Sequence, residues 1–359
     1  MILILLYITF ALITVLAIRA RRVVQLNAVF FCGTLCFILT GIRWKYGGDW
    51  DSYFDYFRSI RGLTFEEGFE PGWNVVSYII KTTFNSYTVF QFMMAGILFY
   101  TSFTVIKKLS VVPILSFLLY YSMTDAGLPY VRKGIAAGII LLSLLFIVNR
   151  DLKKFLLCVG CASLIHYSAV VSLPIYWIYH NKSSYKKYFV IFVCSTAVFY
   201  VFGKLIFSNV SFLGDYLNYK LTNYMEQSEA GENFGVSISP ERAMINQLLK
   251  KFYVFFFIFC YCKEVLTRDI RFRGFLNIYV FSLIFYCSVV PLAFQFARMS
   301  AYFEIVEMLI YAYIYYYLPQ KEKSLFLLLA LLFNAWRIFG HADPGQPDIY
   351  NYHTVFEFF

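Results

Sequence analysis

Unbroken runs of roughly 15–20 apolar residues restrict this chain more than any other feature. Met1–Ile18, Ser86–Ile106 and Tyr188–Phe207 show them plainly, and this is the length over which a helix crosses the hydrocarbon core of a bilayer. In lipid the backbone must satisfy its own polar groups, so such runs fold as helices. A membrane barrel would alternate apolar and polar residues instead. Composition excludes a soluble fold, because only 14% of the 359 residues are charged, against about 25% in an ordinary globular domain. The reading is an all-α polytopic integral membrane protein.

About twelve spans are expected, at 1–18, 24–42, 86–106, 111–124, 133–148, 155–167, 168–180, 188–207, 245–262, 274–293, 299–318 and 324–339. Alternate turns between them are basic: Arg19/Arg21/Arg22, Lys107/Lys108, Arg150/Lys153/Lys154, Lys182/Lys186/Lys187, Lys263/Arg268/Arg271/Arg273 and Lys321/Lys323. These turns hold 17 of the 31 Lys and Arg but only 4 of the 21 Asp and Glu, a net +13, and the remainder carries −3 of the chain's +10. Positive loops stay cytoplasmic, so both termini and the loops 43–85, 125–132, 208–244, 294–298 and 340–359 are expected outside. The basic excess is thus a topology signal, with no nucleic-acid module behind it. Met1 leads into apolar residues without a basic flank, which suggests an anchor and not a cleaved signal peptide. No repeat or linker divides the sequence, so 1–359 reads as one integral domain. Its longest polar stretches, near 43–74 and 208–247, are too short for a soluble catalytic domain. All eight Cys lie in or beside apolar runs; Cys158 and Cys161 have CxxC spacing but no second pair, and are read as packing residues.

The residues that topology does not explain collect on the expected outer side. The first outer loop carries Arg43, Asp49, Trp50 and Tyr53, then Phe69-Glu70-Pro71-Gly72-Trp73. Carboxylates beside aromatic faces suit a sugar ring, although an interfacial aromatic belt with solvated acids is the plainer alternative. Arg132 and Lys133 place cations against the inside rule at the mouth of a helix, where a phosphate or the nearby Asp125 would balance them. His166 ends one span at this boundary. Arg298 opens another, with Tyr302 one turn on and the intramembrane acids Glu304 and Glu307 deeper, where they mark a pathway or pair with buried cations. Arg337 and His341 lie at the outer end of the last span. The loop 208–244, with Tyr216, Tyr219, Tyr224 and Phe234 among acids, suits carbohydrate or is simply solvated. No phosphate-binding glycine loop, metal-ligand spacing or nucleophile elbow is present, so no cofactor and no metal are expected.

The order Gly41-x-Arg43, Gly48-Asp49-Trp50-x-x-Tyr53, Phe69-Glu70-x-Gly72-Trp73, Arg132-x-x-Ile135-Ala136, Leu164-x-His166-x-Ser168-Ala169 and Arg298-x-x-x-Tyr302 resembles the EpsG-like family of Wzy-type polysaccharide polymerases. The resemblance spans nearly the whole chain. It implies a metal-independent, GT-C-like glycosyltransferase of the bacterial inner membrane. Such an enzyme joins undecaprenyl-diphosphate-linked oligosaccharides on the periplasmic face, in O-antigen, capsule or exopolysaccharide synthesis, alongside a chain-length regulator protein. In that setting Arg132, Arg298 and Arg43 are candidates to hold the diphosphate, and Tyr53, Tyr302 and Trp50 to line the substrate site. Asp49, Glu70 or His166 is the candidate base. The sequence does not rank these three, though an unperturbed imidazole titrates near 6.5 and suits neutral pH. A flippase of lipid-linked sugars, or a ligase moving the finished chain to another lipid, are the alternative readings. A flippase should carry polar residues through its full depth, and the inner half here is nearly bare apart from Glu304 and Glu307.

Overall fold

A computed structural model of the chain describes residues 2–47, 49–63, 69–125, 132–182, 185–207, 223, 226, 239–341 and 352–358. Its elements run α1 (Ile2–Ala17), α2 (Arg22–Ile42), a two-residue strand β1 (Arg43–Trp44), α3 (Trp50–Ser59), α4 (Pro71–Phe84), α5 (Tyr87–Leu109), α6 (Pro113–Thr124), α7 (Arg132–Val148) and α8 (Leu152–Ile165), then a 3₁₀ turn at Tyr167–Ser172. There follow α9 (Ile175–His180), α10 (Tyr185–Phe207), α11 (Pro240–Phe257), which continues in a π turn to Cys262, and α12 (Ile270–Val289). Short helical turns lead to α13 (Glu307–Tyr317), α14 (Gln320–His341) and a second strand, β2 (His353–Thr354). Local chemistry fixes many of these boundaries. Pro71 and Pro113 occupy first turns, where a missing N–H loses no bond. Ser86 and Asp151 cap α5 and α8 by accepting from the N–H groups of Val89 and Lys154. Asn85 and Asp125 close α4 and α6 in the left-handed conformation, at φ 48° and 49°.

Four described helices are both long and apolar enough to cross a membrane: Arg22–Ile42, Tyr87–Leu109, Pro240–Cys262 and Ile270–Val289; Ile2–Ala17 is a shorter apolar helix. Among the other expected spans, 188–207 and 324–339 lie within the continuous helices α10 and α14, while two are broken. The segment 168–180 is interrupted by the 3₁₀ turn and Pro174, and 299–318 breaks after Glu304. The stretch 43–85, expected as a loop, contains two helices. Trp50, Tyr53, Tyr56 and Phe57 form one buried face of α3, a helical spacing partly hidden in the sequence by the intervening charges.

Packing divides the chain into two compact units, 1–173 with 305–359, and 174–304. In the first, α2 and α5 run antiparallel with small residues at the contact. A Cβ on Gly33 or Gly41 would collide with the rings of Phe99 and Phe92. Arg22, starting α2, donates to the carbonyls of Lys107 and Ser110 at 2.7 and 2.8 Å, which end α5. A cation there satisfies terminal carbonyls and suits the helix dipole. All residues from Pro113 to Ser122 of α6 are buried. Ser116 donates to Met308 O, Tyr121 to Leu3 O, and Ser122 to Asn334 Oδ1. An aromatic cluster of Trp50, Tyr53, Tyr56, Phe57, Trp73, Tyr87 and Phe90 joins α3, α4 and α5. In the second unit, Asn277 on α12 donates to the carbonyls of Ile178, Tyr179 and Asn181, tying α12 to the end of α9.

Candidate active site

The site in the first unit is built where three helix ends meet. Glu70 precedes α4 in extended conformation, with Pro71 and Gly72 opening the helix. A Cβ on Gly72 would lie 2.7 Å from the carbonyl oxygen of Leu164, so only glycine allows α4 to start this close to the end of α8. That approach puts Glu70 beside His166, the residue ending α8. The Glu70 Oε1 lies 2.8 Å from His166 Nδ1 and accepts from the Tyr167 N–H at 3.3 Å. Its Oε2 takes Arg132 Nη1, at the first residue of α7, at 2.7 Å. Arg132 Nε donates to the Tyr53 hydroxyl at 3.1 Å, and its guanidinium lies 4.6 Å from the Phe69 ring centre.

Both carboxylate oxygens of Glu70 are therefore engaged under cover, with 7% of its side chain exposed, while 28% of His166 and 20% of Arg132 remain accessible. Burial works to raise the Glu70 carboxyl, but the His166 hydrogen bond and the Arg132 charge outweigh it and hold it below its ordinary value. Burial likewise works to lower Arg132, and Tyr53 and Glu70 together raise it instead. An ionised carboxylate only accepts, so the Nδ1 of His166 carries the shared proton. This leaves Nε2 as the imidazole's acceptor when the ring is neutral. A buried acid that orients an imidazole in this way serves general-base chemistry, and an arginine alongside serves an anion.

Three sequence candidates thus converge, with Tyr53 supporting them. Asp49 caps α3 without a side-chain bond to it and is exposed. Trp50 is 2% exposed and stacks on Phe54 within the aromatic core. Arg43 is buried at the end of α2. Arg298 and Tyr302 belong to the second unit, Arg298 exposed on a 3₁₀ turn and Tyr302 buried. Glu304 and Glu307 have cationic partners: Glu304 meets Lys251 at 3.8 Å and accepts from Gln247, and Glu307 meets Arg337 at 3.5 Å. Lys251, buried over the Tyr279 ring, is hidden in a Leu-Leu-Lys-Lys-Phe run that reads as an interface. The Tyr167 N–H is equally invisible, since backbone donors leave no mark in a sequence. Among the described residues no group of three His, Cys, Asp or Glu is placed to hold a metal. The expected carbohydrate-facing residues Tyr216, Tyr219, Tyr224 and Phe234 lie outside the described residues, as does Gly48.

Four apolar helices of membrane-crossing length define a helical membrane protein, and a buried carboxylate holds a histidine and an arginine where the ends of α4, α7 and α8 meet. The chain belongs to the EpsG family, whose model matches residues 26–353 and so takes in every residue of this site. That family is associated with polysaccharide polymerase activity. No curated protein and no solved structure matches the chain.

Proposed function

We propose that the protein is a Wzy-type polymerase of the bacterial inner membrane. It joins undecaprenyl-diphosphate-linked repeat units on the periplasmic face, in O-antigen, capsule or exopolysaccharide synthesis. The observation that carries this reading is the Glu70–His166–Arg132 cluster. An acceptor sugar hydroxyl attacks the anomeric carbon of the donor glycan, and its proton passes to His166 Nε2. The bond from that carbon to the diphosphate oxygen breaks, and the lipid diphosphate departs with its negative charge. Glu70 keeps the imidazole oriented and stabilises the imidazolium that forms. Arg132 faces the charge growing on the leaving group. Asp49 orients sugar hydroxyls. The basic turns and the site lie at opposite helix ends in the first unit: Arg22 and Lys107 at one, Glu70, Arg132 and His166 at the other. That segregation supports a periplasmic site, in a chain we read as having about twelve spans with its termini outside. A chain-length regulator is the expected protein partner.

The test is polymerisation of purified lipid-linked repeats in proteoliposomes, read as a glycan ladder. The wild-type chain should extend the ladder and His166→Ala should leave single repeats. Cells without the protein that still make long chains, left unattached, would show a ligase instead.

A further inference from the structure

Five cations collect where α2 begins and α5 ends, with no acid to balance them. Arg19, Arg21 and Arg22 stand in the turn between α1 and α2, Lys107 and Lys108 lie in the last turn of α5, and all five are exposed. Neither stretch offers a counter-charge, since no Asp or Glu occurs in 1–48 or in 71–124. The other basic turns of this unit differ. Asp151 pairs with Lys154 at 3.0 Å, and Glu322 lies between Lys321 and Lys323, whose ammonium covers the Tyr315 ring. Setting topology requires positive loops; it does not require two of them to be fastened together.

Here they are fastened. Arg22 Nη1 and Nη2 donate to the carbonyls of Ser110 and Lys107, joining the start of α2 to the end of α5. Gln25 Nε2 donates to the carbonyls of Ile18 and Ala20, both at 3.1 Å, and folds the α1–α2 turn back on α2. The side chains of Arg19, Arg21, Lys107 and Lys108 form no hydrogen bond or ion pair among the described residues. Like charges held together repel, so an anion placed among them stabilises the arrangement.

An aromatic ledge begins next to these cations. Phe103 precedes Lys107 by one turn and Phe30 follows Arg22 by about two, roughly 6 and 12 Å along their helices. The Phe30 ring centre lies 5.6 Å from that of Phe99 and 5.7 Å from that of Phe103, and Phe99 stacks on Phe103 at 5.8 Å. One apolar surface therefore bridges α2 and α5, with Phe30 52% exposed, and both helices are of membrane-crossing length. A soluble anion would use only the cations. A phosphate carrying hydrocarbon chains uses both surfaces, as juxtamembrane basic clusters do with anionic lipids.

We propose that the α2–α5 junction binds an anionic phospholipid, with its phosphate among Arg19, Arg21, Lys107 and Lys108 and its chains along Phe30, Phe99 and Phe103. The site lies at the other helix ends from Glu70 and does not depend on the polymerase reading. Full-length protein in neutral detergent is titrated with dioctanoyl phosphatidylglycerol, with dioctanoyl phosphatidylcholine and with glycerol phosphate. Native mass spectrometry reads affinity, and amide exchange reads the place of binding.

Phosphatidylglycerol should bind more tightly than phosphatidylcholine and slow exchange in 19–24 and 106–111, and glycerol phosphate should do neither. The triple variant Arg21→Gln, Lys107→Gln, Lys108→Gln removes three charges and spares the bonds of Arg22. It should lose tenfold or more of the phosphatidylglycerol affinity, since each cation beside an anionic lipid surface adds roughly fivefold. Lys153→Gln with Lys154→Gln, in the turn that has its own acid, should bind as the wild type does. Phe30→Ala should weaken both lipids alike and leave the preference between them. Equal binding of the two lipids, equal losses from the two sets of charge variants, protection by glycerol phosphate, or unchanged binding in Phe30→Ala would each overturn the site.

Discussion

Changing one oxygen of Glu70 into an amide keeps its size and removes the charge that holds both His166 and Arg132. Glu70→Gln should lower kcat roughly ten- to a hundred-fold, as losing a charge-assisted bond of about 1.5–3 kcal/mol does when the bond acts in the transition state. KM for lipid-linked repeats should change little, and initial rates of ladder growth measure both. Arg132→Lys should lose a similar factor, because lysine cannot reproduce the bond to Glu70 Oε2 while also reaching Tyr53. The depressed Glu70 carboxyl has a consequence for pH. A carboxylate whose pKa is lower folded than unfolded adds stability that is fully present above about 4.3, and it is lost as pH falls through the folded value. Thermal melts of the wild type should drop across that acid window, and Glu70→Gln should flatten this part of the curve. Glu70, Arg132 and His166 are each visible in the sequence as a polar residue out of place. That they answer one another is not, because Glu70 lies 62 residues from Arg132 and 96 from His166. Arg132 has two plausible counter-charges in the sequence, a phosphate or Asp125, and the fold supplies Glu70.

At the level of elements, the site depends on how closely α4 can approach α8. Gly72→Ala would push a methyl group against backbone at Leu164, which cannot rotate away as a side chain would. Overpacking of this kind costs roughly 1–3 kcal/mol. The variant should melt earlier and lose activity beyond what its folded fraction explains, since the Glu70–His166 bond spans the displaced joint. Gly41→Ala is the comparison: its obstacle is the ring of Phe92, a side chain able to turn, so activity should survive better. Long apolar helices are legible from their runs alone, as at Tyr87–Leu109. Helices α3 and α4 are not, because 43–85 mixes charges with aromatics and reads as polar on average. The break after Glu304 is equally hidden, with Ile305 and Val306 giving no proline or glycine to announce it.

For the molecule as a whole, the basic turns make a sidedness prediction. In a background without native cysteines, Ser59→Cys should react with a membrane-impermeant thiol reagent in intact spheroplasts, and Lys153→Cys only after lysis. Both positions are exposed. The reverse pattern would place the Glu70 site on the cytoplasmic side and remove the polymerase mechanism with it. One further consequence belongs to how the chain is made. Helix α6 has 12 residues and, at 1.5 Å per residue, is about 18 Å long, well short of a bilayer's core. It is sheltered by partners from both ends of the sequence, bonding to Leu3 near the start and to Met308 and Asn334 near the finish. A ribosome delivers those last two long after α6 has left the tunnel. Until then α6 has no complete housing, so chains shortened from the C-terminus should be degraded as a set, and survive only when they extend past Asn334.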